Sequence, residues 1–132
     1  MKVTGTIFLL ASCLPVVLAD KCSAIGWQLQ TTIKGGTLGD YGINLFRGDK
    51  LIGKAENCMK CPGVCSDLTW VEGEGLEHKF GWAAGCSINH FTECHGSYSS
   101  QTHIEGQKPT KGSDVNGISV GVSSQCKIEF DC

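Results

Sequence analysis

The residues best suited to chemistry in this 132-residue chain are its cysteines and histidines. Cys58, Cys61 and Cys65 lie within eight positions of one another. A C-x-x-C pair can act as a redox couple, and three neighbouring thiolates can hold zinc once a fourth ligand completes the tetrahedron. The surroundings fit neither chemistry. A thioredoxin-like couple needs a βαβ setting that the flanking sequence lacks, and the fourth zinc ligand would have to come from far along the chain. Disulfide bonding is therefore the expected state of these three, together with Cys22, Cys86, Cys94, Cys126 and Cys132. Neither a metal nor a cofactor is expected.

Histidines offer a second constellation. His90, His95 and His103 fall close together, with Glu93 and Glu105 between and beyond them, and such groups can bind metal or exchange protons. Strand alternation argues for packing and surface roles instead: His90 takes a place at a sheet edge, and His95 and His103 are expected at opposite ends of one hairpin. Glu77-His78-Lys79-Phe80 carries a His-Lys-aromatic tripeptide that resembles small secreted fungal ribonucleases and the effectors that share their fold. Catalysis there uses a histidine pair with a glutamate and an arginine. The likeness is confined to the tripeptide, because the sole arginine, Arg47, precedes His78, opposite to that family's order, and the family's helix has no counterpart. No serine sits in a nucleophile elbow. No catalytic residue is expected, and a small ribonuclease is the weakest of the alternatives. Trp27, Trp70, Trp82, Tyr41 and Tyr98 are expected in the core, with stacking on sugar rings as the competing role.

The elements that must position these residues begin after a leader. Lys2 is basic, Ile7 to Leu18 is apolar apart from Ser12 and Cys13, and Val17 and Ala19 put small residues at the −3 and −1 positions of a cut before Asp20. Residues 1–19 read as a secretory signal peptide, since the apolar run is shorter than the ~20 residues a membrane span requires. Residues 20–132 are then one secreted, extracellular domain. Cys13 leaves with the signal, so eight cysteines remain for four disulfides of open connectivity. A domain of this size builds only a modest core, and bridges worth about 2–4 kcal/mol each would supply much of its net stability. Loss of Lys2 leaves ten basic residues against thirteen acidic ones, a net charge near −3. Binding to nucleic acid and insertion into an anionic membrane are not expected from that balance. A monomer is the expected state.

Trp27–Ile33, Tyr41–Phe46, Ser87–Phe91, Ile118–Val122 and Lys127–Phe130 read as short strands, bounded by Gly, Asp, Asn or Ser, and no segment keeps a helical period for three turns. Gly35-Gly36, Gly39-Asp40, Gly48-Asp49 and Asn116-Gly117 read as tight turns. Asn57–Asp67 and Glu105–Asp114 read as the two long loops. Gly42-Ile43-Asn44-Leu45-Phe46 recurs as Ser87-Ile88-Asn89-His90-Phe91, each copy followed by a glycine, Gly53 or Gly96. Two β-units, with the aromatic packed over a bend and glycine beneath it, are the simplest reading.

Cys86-Ser-Ile-Asn-His-Phe91, Cys94-His-Gly-Ser97, Gly117-Ile-Ser-Val-Gly-Val122 and Cys126 resemble the small secreted cysteine-rich proteins of fungi, many of which have a βγ-crystallin-like Greek-key fold. The aromatic–glycine–serine pattern of that fold maps onto Phe91, Gly96 and Ser119, and less cleanly onto Phe46, Gly53 and Ser66. Asp114 to Ser119 lacks the adjacent Asn/Asp pair and Ser/Thr pair of the calcium-binding form. The resemblance implies an all-β, disulfide-stapled β-sandwich of two Greek-key units. It also implies an effector-like virulence protein acting outside the cell, whose partner is an extracellular protein or a cell-wall glycan. A secreted toxin, antimicrobial or enzyme inhibitor, or a wall-glycan-binding module, is the alternative.

Overall fold

Alternation along the first strand sets the architecture. In β1 (Lys21–Ile33), Cys22, Ala24, Gly26 and Gln28 are buried on one face, while Ile25 and Trp27 are half-buried and Leu29 is exposed on the other. The computed structural model describes residues 20–33, 36–56, 68–87, 90–115 and 119–132. The expected signal peptide and the Asn57–Asp67 loop, with Cys58, Cys61 and Cys65, lie outside them. The remaining strands are β2 (Gly36–Arg47), β3 (Lys50–Glu56), β4 (Thr69–Val71), β5 (Phe80–Ser87), β6 (His90–Tyr98), β7 (Gln101–Glu105), β8 (Thr110–Val115) and β9 (Ser119–Asp131). They form two antiparallel sheets, ordered β3-β2-β1-β9-β8 and β4-β5-β6-β7. The chain is thus an all-β, disulfide-stapled sandwich, and no helix is present among the described residues.

The core fills the space between the sheets. Ala24, Ile43, Leu45, Ile128 and Phe130 of the five-stranded sheet meet Val71, Phe80, Trp82, Ala84, Phe91 and Tyr98 of the four-stranded one. Phe130 stacks on Phe80 with ring centres 4.3 Å apart, and Trp82 meets Phe91 edge-on at 5.4 Å. Gly26 makes room for the largest of these rings. A Cβ at that position would lie 2.0 Å from Cζ2 of Trp82, so the indole packs directly on bare backbone of the facing sheet. The Trp82 N–H has no hydrogen-bond partner among the described residues. Burying roughly 200 Å² of ring contributes on the order of 5 kcal/mol, which outweighs the ~1–3 kcal/mol cost of the orphan donor.

Two covalent links and one hydroxyl fix the layers. Cys94 on β6 is bonded to Cys126 on β9, joining the sheets across the core, with a Cα–Cα distance of 6.1 Å. Cys22 is bonded to Cys132, which ties the start of β1 to the residue after β9, at 5.8 Å. Cys86 is also disulfide-bonded, with its partner outside the described residues. The buried hydroxyl of Ser124 accepts from the Phe91 N–H at 3.0 Å and donates to the Thr110 carbonyl at 3.1 Å, linking β6, β9 and β8. A polar group at that depth is stable because both of its hydrogen-bonding roles are used.

Several sequence expectations change. The segment read as a loop from Glu105 to Asp114 is irregular only at residues 106–109, because Thr110–Val115 pairs with Val120–Gln125 of β9. Tertiary pairing there overrides the Gly and Pro content. Ile118–Val122 and Lys127–Phe130, read as two strands, fall largely within one, β9, which begins at Ser119. Gly39-Asp40 is no turn: it lies in β2, opposite Gln30 and Leu29. Gly48 does turn the chain, at φ +58°.

The two copies of the pentapeptide occupy different settings. Gly42–Phe46 runs through the middle of β2, whereas Ser87 ends β5 and His90 begins β6. Leu45 is fully buried and its counterpart His90 only partly. The glycines that follow do admit close neighbours, but not the expected ones. A Cβ at Gly96 would lie 2.4 Å from the ring of Phe80, not Phe91, and one at Gly53 would lie 2.1 Å from the Glu72 carbonyl oxygen.

Candidate functional site

On the four-stranded sheet, strand alternation sends Phe80, Trp82 and Ala84 inward and Gly81, Ala83 and Gly85 outward. Pairing then decides what lies beside them. Gly81 is opposite Trp70 on β4 and Ser97 on β6, and Ala83 is opposite His95 on β6, which is in turn opposite Glu105 on β7. Trp70, Ser97, His95, Glu93, His103 and Glu105 therefore share the outer face.

Trp70 is 53% exposed, against 0% for Trp82 on the opposite face. Its indole reaches across β5, since a Cβ on Gly81 would lie 2.9 Å from ring atom Cζ3 and 3.2 Å from Cε3 and Cη2. Contact with three ring atoms means that the ring lies flat on the backbone, with its other surface turned to water. Next to it, just beyond the paired ends of β4 and β5, Lys79 and Glu72 form an ion pair at 3.0 Å.

His95 and His103 are brought together. Their rings stack with centres 4.8 Å apart and planes 23° from parallel. This corrects the expectation that they lie at opposite ends of a hairpin: the β6–β7 turn is tight, at Ser99-Ser100, and an irregularity between Gly96 and Tyr98 shifts the register so that the rings become near neighbours. Glu93 and Glu105 flank the pair.

These residues line an open cleft of about 400 Å³, closed on its far side by Gln107, Lys108 and Pro109. The cleft exists because β7 stops at Glu105. From there the chain leaves the sheet, with the Gly106 N–H bonded to the Cys94 carbonyl at 2.8 Å and the Gln107 N–H to the Lys127 carbonyl at 2.8 Å on the other sheet. Among the described residues, β7 therefore pairs with only the later part of β6, His95 to Tyr98. No group of three or more His, Cys, Asp or Glu residues is arranged to hold a metal ion among the described residues.

His78 lies elsewhere. It is exposed, meets Tyr98 edge-on at 5.9 Å, and lines a separate shallow pocket with Glu72, Glu77 and Lys79. Arg47 donates to the Gly75 carbonyl at 3.3 Å and approaches Asp20 at 3.8 Å. Of the five aromatics expected in the core, Trp82 and Tyr98 are buried, Tyr41 and Trp27 partly so, and Trp70 is not. The signal for Trp70 was present in Phe80-Gly81-Trp82: a glycine between two core aromatics faces outward and offers a flat seat. No helix among the described residues is long and apolar enough to cross a membrane. Comparison with protein-family models, curated proteins and solved structures finds no match for the chain.

Proposed function

We propose that this chain is a secreted, non-enzymatic interaction protein of the effector-like kind, acting outside the cell on a host or a competitor. The observation that carries the reading is Trp70: an indole seated on Gly81 with 53% of its surface exposed, of a residue type enriched where proteins grip their partners. The leader-like sequence of residues 1–19 and the bridges of Cys22, Cys94, Cys126 and Cys132 agree with an oxidising compartment. Cross-links of this kind let a small domain persist among proteases, and its surface is then free to carry recognition.

The test is to secrete the protein from a host expressing the full chain and apply it to plant or animal tissue and to microbial cultures. A tissue response that survives His78→Ala, without turnover of RNA, is the expected outcome. Growth arrest of the microbes without a tissue response places the protein in the toxin class, and RNA cleavage abolished by His78→Ala overturns the non-enzymatic reading.

A further inference from the structure

We infer that the outer face of the four-stranded sheet is a binding strip for a neutral polysaccharide chain, with Trp70 as its stacking platform and the His95–His103 cleft as its polar end. The inference rests on the interaction reading above and names the ligand class.

Three observations carry it. The first is the orientation of Trp70. An aromatic that anchors a protein partner usually stands out into a pocket, whereas this indole lies flat on Gly81 with one surface available. A flat, open ring matches the axial C–H face of a pyranose, which is itself flat and apolar.

The second is what lies along the same face. From β4 the strip runs over Gly81 to Ser97 and His95 on β6 and to His103 and Glu105 on β7. Two strand spacings separate the backbones of β4 and β6, roughly 10 Å, a span that suits a disaccharide. A hydroxyl, two imidazoles and the carboxylates of Glu93 and Glu105 provide donors and acceptors for ring hydroxyls, and a carboxylate accepts from two vicinal hydroxyls at once. The residues of β5 on this face, Gly81 and Ala83, are small and buried, so the larger side chains of β4, β6 and β7 form its surface.

The third is charge. Glu93 and Glu105 place two carboxylates at the cleft, Lys79 is already paired with Glu72, and Lys108 stands at the far wall. A uronate or sulfated chain would meet net negative charge. A neutral one meets none that it must offset.

The test is co-sedimentation of the secreted protein with insoluble chitin, β-1,3-glucan and cellulose, followed by titration with soluble hexasaccharides of whichever is bound. Binding to at least one is expected, weakened at least about tenfold by Trp70→Ala, partly retained by Trp70→Tyr, and unchanged by Leu51→Ala. The last removes an apolar side chain of similar exposure, 49%, from the other sheet. Should Trp70→Ala fail to fold, Glu105→Gln, an exposed and isosteric change, decides the matter, with a loss of at least about threefold expected. Absence of wild-type binding to all three polysaccharides overturns the proposal. So does equal binding by the folded Trp70→Ala protein, or an equal loss on Leu51→Ala. The tissue assay reads separately: a response without polysaccharide binding defeats the ligand class alone, and loss of both defeats the interaction reading as well.

Discussion

On the inner face of the four-stranded sheet the indole of Trp82 rests on Gly26 of the facing sheet, and on the outer face the indole of Trp70 rests on Gly81 of the neighbouring strand. Both contacts depend on a glycine whose missing Cβ lets a ring lie on backbone. The surroundings separate them. Trp82 is closed over by the second sheet and by Phe91, whereas Trp70 keeps about half of its surface in water. The inner ring is explained by the stability it contributes. The outer ring contributes less to stability for its size, and the proposed recognition role rests on that difference.

Trp82→Ala should have the largest effect. It empties a fully buried site that the facing sheet cannot collapse into, and a loss of about 3–5 kcal/mol is expected in chemical denaturation. A loss below ~1 kcal/mol would mean that the two faces are not energetically distinct, and the comparison would fail. Replacing Cys94 and Cys126 together by alanine comes next. That bridge closes a sequence separation of 32 residues and joins the layers that enclose Trp82. The expected cost is about 2–4 kcal/mol, read from the shift in urea midpoint. Trp70→Ala is the smallest. Its destabilisation should be about 1–2 kcal/mol, since only about half of the ring is removed from water in the first place. A much larger loss would recast Trp70 as structural and remove the main support for a binding strip.

Fold class was legible in the sequence because alternation and turn residues are local signals. Tyr41 to Phe46 and Lys127 to Phe130 each alternate, which states that Ile43, Leu45, Ile128 and Phe130 face inward. The positions of His95 and His103 were not legible, since their stacking depends on an irregularity between Gly96 and Tyr98 that alternation alone does not predict. The same holds for β8. Its Thr, Lys, Gly and Ser residues have the composition of a loop, and only the long strand β9 beside it makes them a strand. Trp70 was expected in the core: the outward glycine between Phe80 and Trp82 signals a seat, but which ring fills it depends on the β4–β5 register. Bridge pairing was likewise out of reach: Cys94 and Cys126 meet only because β6 and β9 face each other across the core.

Strand β1 is flanked along twelve paired positions by β2, its immediate successor, and along thirteen by β9, about a hundred residues later. During synthesis β1, β2 and β3 can pair as they emerge, and so can β4 to β7, but the central strand of the larger sheet stays open on one side until β9 is made. Both described bridges wait for the same event, because Cys126 lies on β9 and Cys132 directly follows it. Until then Cys22 and Cys94 have no native partner within reach, and premature oxidation can only join them to the wrong cysteines. The last of the described strands is thus the one that completes the larger sheet, encloses the core and commits the thiols of both described bridges to their partners.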